Sequence, residues 1–217
     1  MSSKIIEYKK REDFANTMLA KYFKLAPNTI ISDIGAGFGF MRKNIESIGG
    51  IWQPFDYYKK IEESTIWDLN NSYPKECKKA GTVIFMEVME HLSNPLLGIQ
   101  NISEHMETGA ILILTVPNPQ SIQSRISLLL KGVLYSFQPK HIKEHHVFTP
   151  WKHIVEFFLT SSGLEIIEYA VVDTQYRNEK PTSIKSFFLL NLYKFLEWKY
   201  PESAGISYGI VARKINK

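Results

Sequence analysis

The sequence predicts an α/β fold in which a mostly parallel, seven-stranded sheet carries helices on both faces. Three observations lead there. Short β-branched runs alternate with amphipathic stretches from Arg11 to Pro117, glycines cluster where the first such run ends, and an acid closes the second. Strand and helix in alternation call for parallel pairing through crossover helices. A chain of 217 residues with 44% hydrophobic content suffices for one domain with a full core. No repeat or linker divides it, so a single domain over 1–217 is expected.

Taken in order, Phe14, Met18, Leu19, Tyr22 and Phe23 recur at helical spacing, so Arg11 to Leu25 opens the chain as an amphipathic helix that Pro27 and Asn28 stop. Thr29 to Ile34 is a β-branched strand that runs into Gly35, Gly37 and Gly39. Phe40 to Ile48 continues as a helix ended by Gly49 and Gly50, and Ile51 to Phe55 is a second strand closing on Asp56. Further strands fall at Ser64 to Trp67, Thr82 to Met86 and Ala110 to Val116, with a helix from Pro95 to Met106. Beyond Pro117 the rhythm changes. Ser121 to Lys131 reads as a helix, Gly132 to His146 as a loop, and Pro150 to Ser162 as a helix with Pro150 in its first turn and Gly163 past its end. Strands at Glu165 to Val172 and Ser207 to Lys214 flank a polar stretch and an apolar helix, Ile184 to Lys199. Residues 120–150 are expected to form a lid over an acceptor site, and 173–205 a helical insertion before the last strand.

The formal net charge of +4 comes from lysines that stand in pairs, such as Lys9-Lys10, Lys59-Lys60 and Lys78-Lys79, separated by acids and apolar residues. Nucleic-acid surfaces concentrate basic residues on one face and interleave aromatics, so no nucleic-acid partner is expected. Cys77 is the lone cysteine, which excludes an internal disulfide and a thiolate metal cluster and fits a reducing compartment. The N-terminus lacks the apolar stretch of a secretory signal, and no run approaches the roughly 18 apolar residues that span a bilayer. A cytoplasmic protein without stable membrane insertion is the expectation. Ser127 to Phe137 and Phe187 to Trp198 are more apolar than surface helices need, and would cover the sheet or form a homodimer face.

The densest chemical signal is Asp33-Ile34-Gly35-Ala36-Gly37-Phe38-Gly39. Alternate glycines let the backbone turn sharply and approach a ligand, and a helix N-terminus offers free N–H groups to an anion. A dinucleotide fingerprint would place glycine where Phe40 stands, so NAD binding is not predicted. With Asp56 closing the second strand and Asp68-Leu69-Asn70 beyond it, the pattern resembles the class I S-adenosylmethionine-dependent methyltransferases, which have a Rossmann-like α/β fold. Glu87-Val88-Met89-Glu90-His91-Leu92, the trailing Ser93-Asn94-Pro95 and Val116-Pro117-Asn118 resemble a type 11/23-like subgroup that includes the ubiquinone-pathway O-methyltransferases. The likeness covers Ile30 to Leu164 and reaches the ends only through the order of elements. It implies that the cofactor is S-adenosylmethionine, released as S-adenosylhomocysteine. By the same resemblance the loop of Gly35, Ala36, Gly37 and Gly39 would hold its methionine part, Asp56 its ribose hydroxyls, and Asp68 with Leu69 its adenine, with Asp33, Tyr57, Glu87 and Val88 joining the set.

Methyl transfer from a sulfonium is an in-line displacement that needs the acceptor atom about 3–3.5 Å from the methyl carbon and water kept out. A hydroxyl acceptor must also lose a proton, for which a neutral histidine is well matched. Glu144-His145-His146-Val147-Phe148-Thr149 resembles the family's acid-His-x-x-aromatic-Thr run, which makes His145 the preferred base and leaves His146 and His91 as the other candidates. Each has a structural reading too, as a cap or as a ring bonded to a backbone carbonyl. No metal is expected, because His141, His145 and His146 lie on a loop without a supporting acid or cysteine. The expected reaction is O-methylation of a small molecule or glycan precursor. The alternatives are an N-methyltransferase and a non-catalytic methyltransferase-like scaffold.

Overall fold

The computed structural model describes residues 5–178 and 182–215. In chain order these form β1 (Ile6–Glu7), α1 (Arg11–Tyr22), β2 (Ile30–Ile34), α2 (Arg42–Ser47), β3 (Ile51–Asp56), β4 (Thr65–Ile66), β5 (Ala80–Met86), α3 (Pro95–His105), β6 (Met106–Pro117), α4 (Ile122–Lys131), α5 (Lys152–Ser161), β7 (Leu164–Val172), α6 (Ile184–Lys199) and β8 (Ser207–Lys214). The strands make one sheet in the order β1-β7-β8-β6-β5-β2-β3-β4. All neighbours pair in parallel except β8, which runs antiparallel between β6 and β7.

Eight strands replace the seven expected. The addition is β1, whose Ile6 and Glu7 pair with Ala170 and Val171. Two residues carry no readable alternation, so only the pairing partner reveals them.

The central strands are apolar at consecutive positions because both faces are covered. In β6, Leu112 and Leu114 join Phe55, Phe85, Ile210, Ile102 and Leu159 in one core cluster, while Ile111 and Ile113 join Ile31, Ile84, Val211, Phe14 and Ile45 in the other. Helices α3 and α5 close the first side, α1 and α2 the second.

Local signals account for the helix ends. Asn94 caps α3 by accepting the Leu97 N–H at 3.3 Å with Pro95 in the first turn, and Ser121 caps α4 by accepting the Ser124 N–H at 3.1 Å. Gly132 ends α4 in the left-handed region at φ 73°. Two expected starts shift. Helix α2 begins at Arg42 rather than Phe40, because Gly37 to Met41 is spent on turns, and α5 begins at Lys152, with Pro150 and Trp151 ahead of it. The Pro150 carbonyl accepts the buried Tyr208 hydroxyl at 2.8 Å, which holds this approach against β8. The expected loop 132–146 contains two 3-10 turns, Tyr135–Phe137 and Pro139–Glu144. Helix α6 lies against α4 and the 201–203 turn and exposes Phe188 and Trp198 to solvent, so covering the sheet is not its task.

From β2 the chain crosses to β3 on one side and later to β5 on the other. Their carboxyl ends therefore diverge at a topological switch point, where open α/β sheets bind ligands.

Phe14 of α1 sits on Gly209 of β8 so closely that a Cβ there would lie 2.5 Å from the ring. Gly209→Ala should destabilise the protein by about 1–3 kcal/mol in urea unfolding, and Phe14→Leu in the same chain should return part of that loss. Equal stability of wild type and Gly209→Ala would show that α1 does not dock there.

Candidate cofactor and acceptor site

At the switch point lies a cavity of about 520 Å³. Its wall is assembled from successive strand ends: Gly35 after β2, Asp56 and Tyr57 at the end of β3, Asp68 and Leu69 after β4, and Glu87 and Val88 after β5. His91, in the next turn, and His145, from the segment before α5, complete it. Asp33, Ala36, Gly37 and Gly39 do not line this cavity, although sequence reasoning grouped them with those that do.

The glycine loop explains the division. Gly35 and Ala36 both donate their N–H groups to the Phe55 carbonyl, at 2.9 and 3.0 Å, which ties the loop to the end of β3. Gly35 has φ 77°, and a Cβ there would lie 2.3 Å from Val88 Cγ2, so both conformation and space demand glycine. The Gly37 N–H donates to Asp56 Oδ2 at 2.9 Å and fixes that carboxylate at the cavity wall. Because α2 starts only at Arg42, its N-terminus does not follow Gly39 directly as the sequence suggested. Asp33 is buried beneath the loop, where its Oδ2 accepts the Trp52 indole N–H at 3.0 Å. Burial pushes its pKa up to about 6, the Trp52 hydrogen bond pulls against this, and Asp56 adds to it.

Below the cavity is a set of buried charges. Glu87 adopts φ 52°, unusual for a non-glycine residue, and its carboxylate meets Arg11 Nη1 at 2.7 Å and the Ser207 hydroxyl at 3.3 Å. The same guanidinium reaches Asp173 at 2.7 Å. Sequence reading missed Arg11 and Asp173, since nothing local marks an arginine at a helix start or an acid after a strand as partners. Glu90 is 1% exposed. Burial, reinforced by Glu87, raises its carboxyl well above the usual range. Its backbone carbonyl accepts the N–H groups of Val147 and Phe148 at 2.9 and 3.1 Å, which latches the segment before α5 onto this turn.

The three histidine candidates hold different places. His145, in the left-handed region at φ 60°, faces the switch-point cavity. His146 faces a second cavity of about 340 Å³, together with Arg11, Glu90 and His141. His91 and Glu87 line both cavities. Burial, followed by His146, lowers the His91 pKa, so this ring is neutral at pH 7. The rings of His91 and His146 meet edge to face at 4.9 Å, and His141 stacks on His146 at 5.4 Å.

The expected lack of an acid near these histidines is corrected by the fold. Ligand atoms of Glu90, His91 and His146 all lie within 4.8 Å of one another. His146 Nδ1 is 2.8 Å from the Ser136 carbonyl, a contact that needs the proton on Nδ1 and leaves the Nε2 lone pair free. Among the described residues, this trio could hold a divalent cation.

No protein-family model matches the chain. Over 162 residues it is 27% identical to the ubiquinone biosynthesis O-methyltransferase of Rickettsia typhi, covering 69% of this chain and 65% of that protein. The match thus spans just under two-thirds of the relative's length. Among solved structures, an S-adenosylmethionine-dependent methyltransferase from Archaeoglobus fulgidus aligns with a TM-score of 0.60 at 18% identity, over 94% of this chain and 95% of that one. A (4+2)-cyclase aligns with a TM-score of 0.61 at 14% identity, over 94% and 81%. The chain has the class I methyltransferase fold, a fold that also carries other chemistry.

Asp33 gives a stability prediction with a definite sign. Its folded pKa of about 6 lies above the roughly 3.9 of an unfolded aspartate, so the native state binds the extra proton and stability falls as pH rises from about 4 to about 6. Asp33→Asn keeps an oxygen for Trp52 and removes the penalty. It should be more stable than wild type by about 2–3 kcal/mol at pH 7.5 and equally stable at pH 3 in denaturant titrations. A difference that does not change with pH would contradict this.

Proposed function

We propose that the protein is an S-adenosylmethionine-dependent methyltransferase acting on an oxygen of a hydroxylated small molecule or glycan precursor. The observation that carries this reading is the shared wall. One cavity has the nucleoside-binding character expected for the cofactor, a second opens beside it, and His91 faces both. The oxygen-methylating relative and the methyltransferase fold support it.

In this reading Asp56 offers two carboxylate oxygens to the ribose diol, Asp68 and Leu69 border the adenine, and Tyr57 closes the rim. Gly35 brings the loop backbone to the cavity wall, with Val88 packed against it, where the methionine part would lie. Asp33, Ala36, Gly37 and Gly39 act from behind, by shaping the loop and holding Asp56. The bound cofactor supplies an electrophilic methyl group on a sulfonium. The chain's own tasks are to orient the acceptor hydroxyl, keep water out with residues 120–150, and take the proton. His91 is the base best placed for this, because it is neutral and stands between the cavities. The backbone carbonyls of Glu144 and His145, which accept from the His91 ring, favour the imidazolium that results. His145 and His146 flank it, one on each side.

A second reading of the proton step has its own observation. A divalent cation on Glu90, His91 and His146 would acidify a bound hydroxyl directly, and the His146 Nδ1 contact with a backbone carbonyl is how ligating histidines are commonly oriented.

Transfer of labelled methyl groups to a panel of hydroxylated metabolites tests both. Asp56→Ala should weaken cofactor binding about tenfold or more, and His91→Ala should lower turnover about 10²–10⁴-fold with cofactor affinity unchanged. His145→Ala should cost less. If His145→Ala abolishes turnover and His91→Ala does not, the base lies on the lid. Loss of activity in EDTA with recovery on adding Mg²⁺, Mn²⁺ or Zn²⁺ would favour the cation, and unchanged activity would exclude it.

A further inference from the structure

Beyond the Tyr135–Phe137 turn lies a third cavity, of about 550 Å³, between α4, the 3-10 turn Gln175–Asn178 and α6. Its wall differs in kind from the other two. It combines the rings of Tyr135, Tyr176 and Tyr193 with the neutral amides and hydroxyl of Gln123, Gln175 and Ser186. Among the described residues lining it there is no carboxylate, ammonium, guanidinium or imidazole. The described part of the wall offers an ionic ligand no opposite charge. A purely apolar chain would leave the buried Gln123 amide oxygen without a partner, at a cost of about 1–3 kcal/mol. A sugar ring suits both halves of the wall: its C–H faces pack on aromatic rings, and its hydroxyls donate to and accept from amides.

Two details show that this wall is held in place. The Tyr176 hydroxyl donates to Glu197 and accepts the Gly205 N–H at 3.2 Å, and its ring meets Tyr193 edge to face at 6.4 Å. Its polar end is therefore occupied, and its ring stands as part of the wall. Gln123 is only 9% exposed, and its carbonyl oxygen is buried with no hydrogen-bond partner. An unmet acceptor at this wall is a place for a donor hydroxyl.

The cavity also joins the acceptor side of the site. Ile206 lines both this cavity and the one shared by His91 and His146, and the sequence neighbours Tyr135 and Ser136 face one each. We propose that the third cavity is a subsite for an uncharged sugar unit, adjoining the unit that receives the methyl group. That second clause rests on the methyltransferase reading above.

Saturation-transfer NMR on the full chain tests the subsite. The neutral probes are the methyl glycosides of glucose, galactose, mannose, rhamnose and N-acetylglucosamine, and the controls are methyl glucuronide and farnesol. At least one neutral glycoside should bind saturably, and the glucuronide should not compete. Tyr193→Ala and Gln123→Leu should each weaken binding about tenfold, and Tyr193→Phe, which keeps the ring, should stay within about twofold of wild type. The proposal is overturned if no neutral glycoside binds, if farnesol displaces the bound glycoside, or if Tyr193→Ala with a native circular dichroism spectrum keeps wild-type affinity. Asp56→Ala should leave glycoside binding intact. A chain that binds S-adenosylmethionine but no glycoside loses only the subsite. One that binds a glycoside but not S-adenosylmethionine keeps the subsite and loses the methyltransferase reading.

Discussion

Between the carboxyl ends of β2 and β5 there is no room for a side chain: a Cβ on Gly35 would stand 2.3 Å from Val88 Cγ2. This approach brings the loops on either side of the switch point into contact. Much of the site follows from it. The loop after β2 turns back to the Phe55 carbonyl, presents the Gly37 N–H to Asp56, and brings Gly35 to the wall of the switch-point cavity. The loop after β5 carries Glu87 in the left-handed region and directs it down toward Arg11.

That geometry has an electrostatic cost. Asp33, Glu87 and Glu90 are carboxyl groups largely withdrawn from water, and burial is the leading cause of the upward pKa shift in each. Arg11 relieves two sites at once by bridging Glu87 and Asp173, whereas the Glu90 carboxylate stands 4.0 Å from the neutral ring of His91. Strained backbone and incompletely neutralised carboxyls at one place are features that a protein retains where function needs them rather than where stability does. They also make the wall of the cavity shared by His91 and His146 receptive to positive charge.

Much of this was legible in the sequence, and the failures have physical reasons. The central strands were readable because β-branched runs end in turn residues, and Gly35, Asp56 and Asp68 because their chemistry sits at strand ends. Asp33 was misplaced toward the ligand, although strand alternation held the correction: it shares a face with Ile31, on the side of α1 and α2, where Trp52 waits. The edge strand β1 was too short to show a pattern. The Glu90, His91 and His146 trio could not be read, because the segment before α5 reaches the β5 turn through long-range contacts, among them the backbone bonds from Val147 and Phe148 to the Glu90 carbonyl and the meeting of the His91 and His146 rings. Long-range contacts of this kind leave no local spacing.

The account stands or falls on what occupies the cavity at the switch point. Isothermal titration of the wild-type chain with S-adenosylmethionine and, separately, with NADH addresses this directly. The account predicts saturable binding of S-adenosylmethionine at one site per chain and no binding of NADH. Binding of NADH alone, or of neither, would contradict it.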